Sequence, residues 1–272
     1  MVGMLSTLIK DENQPIIIGL AGKAGSGKTS VAEQIVPKGS IAINKYGLKW
    51  DHIFYALPLY ELASIKKNTQ GHNEKSRKLY AIHETLYEIF GSSPLANVPQ
   101  YHDLVKMVDE IYNLPIEPEG VKPRTFLQKA GDICRDFDPE CFCKWGIRKS
   151  QLIYRNYIRD FYKDIEDFSD QSTASMAIII SDVRFKNEAE IILDHPNGFV
   201  VCFDASQETL DERILKRDGK LMSSDQSNHK SESFINDIMQ VASCVINTDN
   251  LSIEEQTEET LKQLGIMENA NA

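Results

Sequence analysis

Pro15-Ile-Ile-Ile-Gly-Leu-Ala21 is an unbroken apolar run rich in β-branched residues. Such a run predicts a strand buried on both faces of a parallel sheet, since a half-exposed strand would alternate. Met176-Ala-Ile-Ile-Ile-Ser-Asp182 and Gly198-Phe-Val-Val-Cys-Phe-Asp204 are runs of the same kind, and each ends in a carboxylate. Helical composition follows or separates them at Thr29–Ile35, Asn187–Asp194, Gln207–Arg217, near Glu232–Val241 and at Ile253–Leu264, with a short strand predicted at Cys244–Asn247. A further short strand is expected at Ser40–Ile43 or at Ile53–Tyr55. Alternation of this kind implies a parallel sheet with helices on both faces.

Between about Leu57 and Phe168 the pattern changes to helical periodicity rich in Tyr, Lys and Glu, broken by connections at Gly91–Pro99 and Pro115–Pro123. This reads as a mostly helical insertion. With 272 residues and 42% hydrophobic content, the chain can bury one large core carrying such an insertion, so a single elaborated domain over 1–272 is expected. The surplus of Tyr and aliphatic residues in the insertion suggests a homodimer. The tail Met267–Ala272 is expected to be disordered.

A formal net charge of −10 argues against a broad nucleic-acid footprint, which needs a basic excess or stripe. A small anionic substrate needs only a local basic cluster. The five cysteines are odd in number, and none has the Cys-x-x-Cys spacing of a zinc site, so a reducing compartment and ordinary semi-buried thiols are expected. Met1–Asn13 lacks a signal-peptide pattern, and no stretch of eighteen apolar residues predicts a membrane span. The expected localisation is cytoplasmic.

The chemistry begins directly after the first strand. Gly22, Lys23, Ala24, Gly25, Ser26, Gly27, Lys28 and Thr29 fit G-x-x-x-x-G-K-[ST]. In that pattern backbone amides cradle phosphates, the lysine reaches the terminal phosphates and the hydroxyl holds magnesium. The glycines let the chain wrap closely round the anion, and the following helix adds unpaired amides and the positive end of its dipole. A glycine-rich turn with an incidental lysine is the competing reading, and the preceding strand and following helix argue against it.

Asp182, at the end of its strand, could hold magnesium or act on an acceptor, because ligands of open parallel sheets bind outside the carboxyl ends of the strands. The alternative is a strand-end Asp that caps the next turn. Arg184 and Glu188 could form an ordinary surface ion pair. Arg213 and Arg217 are four apart on a predicted helix ahead of the polar stretch Asp218–Lys230, which suits closure over transferring phosphates. A solvated face is the competing reading. Arg124, Gln128 and Arg135 fall on roughly one helical face, able to take a phosphate and a base edge.

These segments resemble bacteriophage-type deoxynucleoside monophosphate kinases, phosphate-loop kinases related in fold to dephospho-coenzyme A kinase. Asp182-Val-Arg-Phe-Lys-Asn-Glu-Ala-Glu190 looks like the family's Asp-Val-Arg-Phe-x-Asn-Glu-Ala-Glu segment. Arg124-Thr-Phe-Leu-Gln-Lys-Ala-Gly131 with Arg135 is similar to its acceptor-site segment, His229-Lys-Ser-Glu232 to its His-x-Ser-Glu signature, and Val245–Asn250 to its final strand and turn. Phe54-Tyr-Ala-Leu-Pro-Leu59 resembles a Phe-Ala-Asp-Pro-Leu segment but carries Leu57 where the family has Asp, so Asp51, Asp182 or no side chain takes that role.

The resemblance implies a three-layer α/β/α phosphate-loop NTPase fold with a parallel sheet, a helical acceptor-binding region at about 57–170 and a short lid at about 213–232. It implies transfer of the γ-phosphoryl of ATP to a deoxynucleoside monophosphate, with Mg2+ set by Thr29 and Asp182. Lys28, Asp182, Arg213 and Arg217 would be catalytic, and Arg124, Gln128, Arg135 and Arg184 would hold the acceptor. The alternatives are a kinase acting on dephospho-coenzyme A or on a hydroxymethylated base in DNA, and a nucleotide-binding regulator that transfers nothing.

Overall fold

A computed structural model describes residues 9–36, 42–43, 48–68, 74–91, 99–163, 175–221 and 234–266. The described residues divide into two compact units, one formed by Met1–Phe54 with Gly146–Ala272 and the other by Tyr55–Trp145.

The first unit contains the sheet. Its strands are β1 (Ile16–Gly22), β2 (Ala42–Ile43), β3 (Lys49–Ile53), β4 (Met176–Val183), β5 (Gly198–Asp204) and β6 (Cys244–Asn247), in the order β2-β3-β4-β1-β5-β6. β3, β4, β1, β5 and β6 run parallel, while β2 pairs antiparallel at the edge through Ala42 with Trp50 and Ile43 with Lys49. Both expected regions for the second strand thus border real ones: Ala42–Ile43 lies within the first, and β3 ends at Ile53, where the second begins.

All seven residues of β1 are buried, as its unbroken apolar run requires of a central strand. Ile16, Ile18 and Leu20 face one side, with Trp50, Ala177, Ile179, Val201 and Phe203. Helices α1 (Lys28–Ile35) and α10 (Ile253–Gln263) cover that side, through Val31, Ala32, Ile35 and Leu261. On the opposite side lie α7 (Lys186–Asp194), packed on β1 and β5, and α9 (Ile235–Val241), packed on α7. The result is a three-layer α/β fold. α8 (Gln207–Asp218) follows β5 and ends at Gly219, whose φ of 71° is the left-handed form that stops helices.

Neighbouring strands β1 and β4 therefore send their helices to opposite faces of the sheet. The crevice outside their carboxyl ends is the switch point at which open α/β sheets bind ligands.

In the second unit α2 (Leu57–Lys67), α3 (Glu74–Phe90), α4 (Tyr101–Asn113) and α5 (Arg124–Phe137) pack together. Leu104, Met107, Val108 and Ile111 form the buried stripe of α4 at helical spacing. Phe90 meets Phe137 edge-on, with ring centroids 5.4 Å apart. α6 (Cys141–Lys163) begins in this unit and continues past its boundary at Trp145. The expected disordered tail lies outside the described residues.

Candidate phosphate-binding site

The turn from β1 into α1 stands on three glycines in backbone conformations that other residues rarely adopt: Gly22 (φ 146°), Gly25 (φ 86°) and Gly27 (φ 97°). Space matters as much as dihedral angle. A β-carbon on Gly22 would lie 2.5 Å from Ser26 Oγ and 2.8 Å from the Phe203 carbonyl, and one on Gly25 would lie 2.9 Å from the Leu210 carbonyl. A β-carbon on Gly27 would collide with the Gln256 carboxamide oxygen.

Gly27 is the N-cap of α1 and offers no side chain to the first amides of the helix. Those amides, at the positive end of the helix dipole, suit an anion. Lys28 is nearly buried, and its Nζ donates to the Lys23 carbonyl at 3.0 Å, which also accepts from the Ser26 amide. The lysine thus lies along the loop, while Thr29 is exposed.

Asp182 ends β4, the strand beside β1, and an irregularity in pairing sets its position. Gly19 is opposite Ile180, yet Ala21 is opposite Val183, so Ser181 and Asp182 share the place facing Leu20. A bulge of this kind re-aims side chains at strand ends. Ser181 is buried, and its Oγ lies 2.6 Å from His52 Nε2 on β3. The alternation of β3 puts Asp51 on the other face from His52. Burial pushes the Asp51 carboxyl above the ordinary value of 3.8, opposed by the His52 amide donating to it at 2.7 Å.

Glu188 is not a surface residue. It is 2% exposed, and its carboxylate accepts from the amides of Arg184 at 2.8 Å and Phe185 at 3.2 Å. It therefore caps α7, and Arg184 sits in the capped turn. This replaces the surface-pair alternative with a buried cap.

Arg213 and Arg217 part company on α8. Arg213 forks onto Thr248, with Nη1 donating to Oγ1 at 3.2 Å and Nη2 to the carbonyl at 2.5 Å. Arg217 is exposed and pairs with Asp218 through two contacts of 2.8 Å. The rest of the expected lid, including His229–Glu232, lies outside the described residues.

Arg124, Gln128 and Arg135 lie half-buried on α5 in the second unit. The first turn of α5 is capped from outside the helix, where Glu117 accepts from the Thr125 amide at 2.6 Å. Arg135 folds back over Gly131, where a β-carbon would lie 2.8 Å from its Nη1, and stacks on Phe142 with 4.8 Å between the guanidinium and the ring centroid. A side chain at 131 would make the guanidinium shift.

For magnesium, Thr29 and Asp182 supply hard oxygen donors. Among the described residues no group of three or more His, Cys, Asp or Glu could enclose a metal ion. That donor set fits an ion carried in by phosphates, which keeps one or two protein ligands, and does not fit a protein-built cage. All five cysteines are free; Cys134, Cys141, Cys143 and Cys202 are buried. Burial pushes the thiols of Cys134 and Cys202 up to about 12 and that of Cys244 to about 11. Among the described residues, no helix is long and apolar enough to cross a membrane.

The sequence pattern singled out the loop, Asp182 and Arg213, and did not single out Thr248, His52, Ser181 or Gln256, which the fold brings to the same strand ends or against the loop. No spacing rule singles those four out, because their places are set by elements distant along the chain.

No protein-family model matches the chain, and no curated protein does. Among solved structures, the chain is similar to TT1252 from Thermus thermophilus. The identity is 17%, the TM-score 0.39, and the match covers 92% of this chain and 95% of that one. The fold is a three-layer α/β fold with a glycine-built turn, the candidate phosphate site, at its switch point.

Proposed function

We propose that the protein is an ATP-dependent phosphotransferase that converts a deoxynucleoside monophosphate to its diphosphate, working in the cytoplasm. One observation carries the phosphate half of this reading. A glycine-built turn, an uncapped helix N-terminus and a nearly buried Lys28 meet at the switch point beside Asp182.

The loop amides and Lys28 would hold the β- and γ-phosphates of ATP. Magnesium, held by Thr29 and Asp182, would neutralise charge on those phosphates. An acceptor phosphate oxygen attacks the γ-phosphorus while the bond to the β,γ-bridging oxygen breaks and ADP leaves. Because that acceptor oxygen is already anionic, no general base is required, which makes Leu57 in place of a carboxylate tolerable. The acceptor class rests on the resemblance of Arg124–Arg135 and Asp182–Glu190 to the kinase segments.

The test is a coupled ADP-release assay with ATP and magnesium across dTMP, dGMP, dCMP, dAMP, hydroxymethylated dUMP and dCMP, ribonucleotides and dephospho-coenzyme A. Turnover with a deoxynucleoside monophosphate, lost in Lys28→Ala, is expected. Silence with every acceptor from a protein that still binds ATP would sink the assignment and favour a DNA-modifying kinase or a regulator.

A further inference from the structure

We infer that Arg213 and Thr248 form a brace behind the phosphate loop, so that Arg213 is a positioning residue for the loop amides and does not itself reach the phosphates. The inference rests on reading Gly22–Thr29 as a nucleotide phosphate site.

Leu210, Arg213 and Ile214 share one face of α8, being three and four residues apart. That face presses on the loop. The Leu210 carbonyl and Ile214 Cγ1 would lie 2.9 and 3.2 Å from a β-carbon at Gly25. Arg213, between them, is the only polar member of the three, and its guanidinium is turned onto Thr248 through the two bonds described above.

Thr248 is fully buried and is fixed at the end of β6, its amide donating to the Asp204 carbonyl at 2.8 Å. Its hydroxyl accepts from Arg213, which leaves its one hydrogen for a carbonyl. Two are within reach, Asp204 at 3.1 Å and Ser26, in the phosphate loop, at 3.5 Å. Donation by a guanidinium polarises the hydroxyl and makes it a stronger donor toward those carbonyls.

The consequence for the loop follows from peptide geometry. In a trans peptide the C=O and N–H point in opposite directions. Drawing the Ser26 carbonyl toward Thr248 therefore turns the Gly27 N–H away from β6. Gly27 has no side chain to fix that peptide plane, and the bond from the Ser26 amide to Lys23 holds only the peptide before it, so a restraint from outside the loop adds to its order. Arg213 and Thr248 supply it.

A brace and a phosphate contact predict different kinetics. Loosening a brace weakens binding of the triphosphate, raising Kd and KM together, and leaves turnover of the bound complex close to its original rate. Removing a group that meets the transferring phosphoryl lowers kcat. Thr248, out of reach of solvent, has an effect only in the first case.

The experiment uses the full chain with Thr248→Val, Thr248→Ser, Arg213→Gln, Arg213→Lys and the Thr248→Val/Arg213→Gln double variant. Calorimetric titration with ATP and magnesium gives the affinity, ADP release gives KM and kcat, and circular dichroism checks the fold. Thr248→Val is expected to weaken ATP binding about tenfold, as loss of one restraining hydrogen bond allows. Thr248→Ser should return to within about twofold, and the double variant should be no weaker than the worse single one. Should Thr248→Val fail to fold, Arg213→Lys, which keeps the charge and loses the fork, must show the same loss of affinity. Wild-type affinity in folded Thr248→Val or Arg213→Lys, with kcat alone reduced in Arg213→Gln, overturns the brace. No ATP binding by the wild-type protein is a separate result that removes the phosphate-site reading beneath it.

Discussion

Gly19 of β1 lies so close beneath Ile192 of α7 that a β-carbon on it would come within 2.7 Å of Ile192 Cδ1. Val183 and Val200, from the strands on either side, would meet the same carbon at 3.1 and 3.3 Å. This missing side chain lets α7 sit down on the centre of the sheet. Gly19→Ala should therefore overpack the core and force Ile192 to shift, at a cost of about 1–3 kcal/mol. Urea unfolding measures it, and Ile192→Val added to Gly19→Ala should recover part of the loss. A Gly19→Ala protein as stable as wild type would mean that α7 floats more freely than its contacts indicate.

Asn197 ties the segment before β1 to the turn before β5. Its Oδ1 accepts from the amides of Lys10 at 2.7 Å and Asp11 at 2.9 Å, and its Nδ2 donates to the carbonyls of Asp11 at 2.7 Å and Gln14 at 3.0 Å. Asn197 is 2% exposed, so the groups it satisfies have little water to turn to. Asn197→Ala is expected to lose about 2 kcal/mol or more, since unpaired buried polar groups cost about 1–3 kcal/mol each. Proteolysis within 9–14 should quicken in step. Asn197→Asp keeps the acceptor, loses the donor and buries a charge, so it should be no better.

Much of this architecture could be read from the chain. β1, β4 and β5 announced themselves because a strand covered on both faces must be apolar throughout. The glycine turn after β1 was legible because it uses glycines where dihedral angles and close approach exclude other residues. The β6 turn was harder, since Thr248 matters only once β6 lies beside β5 and Arg213 reaches across from α8. Glu188 was misjudged as a possible surface partner because i, i+4 spacing to Arg184 does not reveal that both backbone amides of the turn face its carboxylate. The bulge at Ser181–Asp182 has no sequence mark, because register belongs to the pair of strands.

His195 gives the fold a pH dependence of predictable sign. Its Nδ1 accepts from the Asn197 amide at 3.3 Å, and burial holds the imidazole below its ordinary value of 6.5, partly offset by the Asp11 carboxylate. The unfolded chain takes up a proton near 6.5 while the folded one resists until lower pH, so the unfolded state binds more protons in that window. The stabilising contribution is complete above 6.5 and shrinks as the pH falls from there toward the folded value. Urea midpoints at pH 7.5 and 5.5 should drop less in His195→Gln than in wild type. Equal drops would place the acid sensitivity elsewhere.

Lys28 separates binding from stability. Its Nζ is held against the Lys23 carbonyl while the residue is only 6% exposed, so a cation is desolvated on folding. Such a group contributes little to folding and much to an anion. Lys28→Met, close in volume and uncharged, is expected to leave the melting temperature without nucleotide within a degree or two, or to raise it. Its affinity for ATP with magnesium should fall about 10–100-fold, as loss of a charge-assisted hydrogen bond worth about 1.5–3 kcal/mol requires. The upward shift in melting temperature that ATP gives the wild type should vanish at the same nucleotide concentration. A Lys28→Met protein that melts normally and keeps the full ATP-induced shift would show that the glycine turn binds its anion without the lysine, or that ATP binds elsewhere.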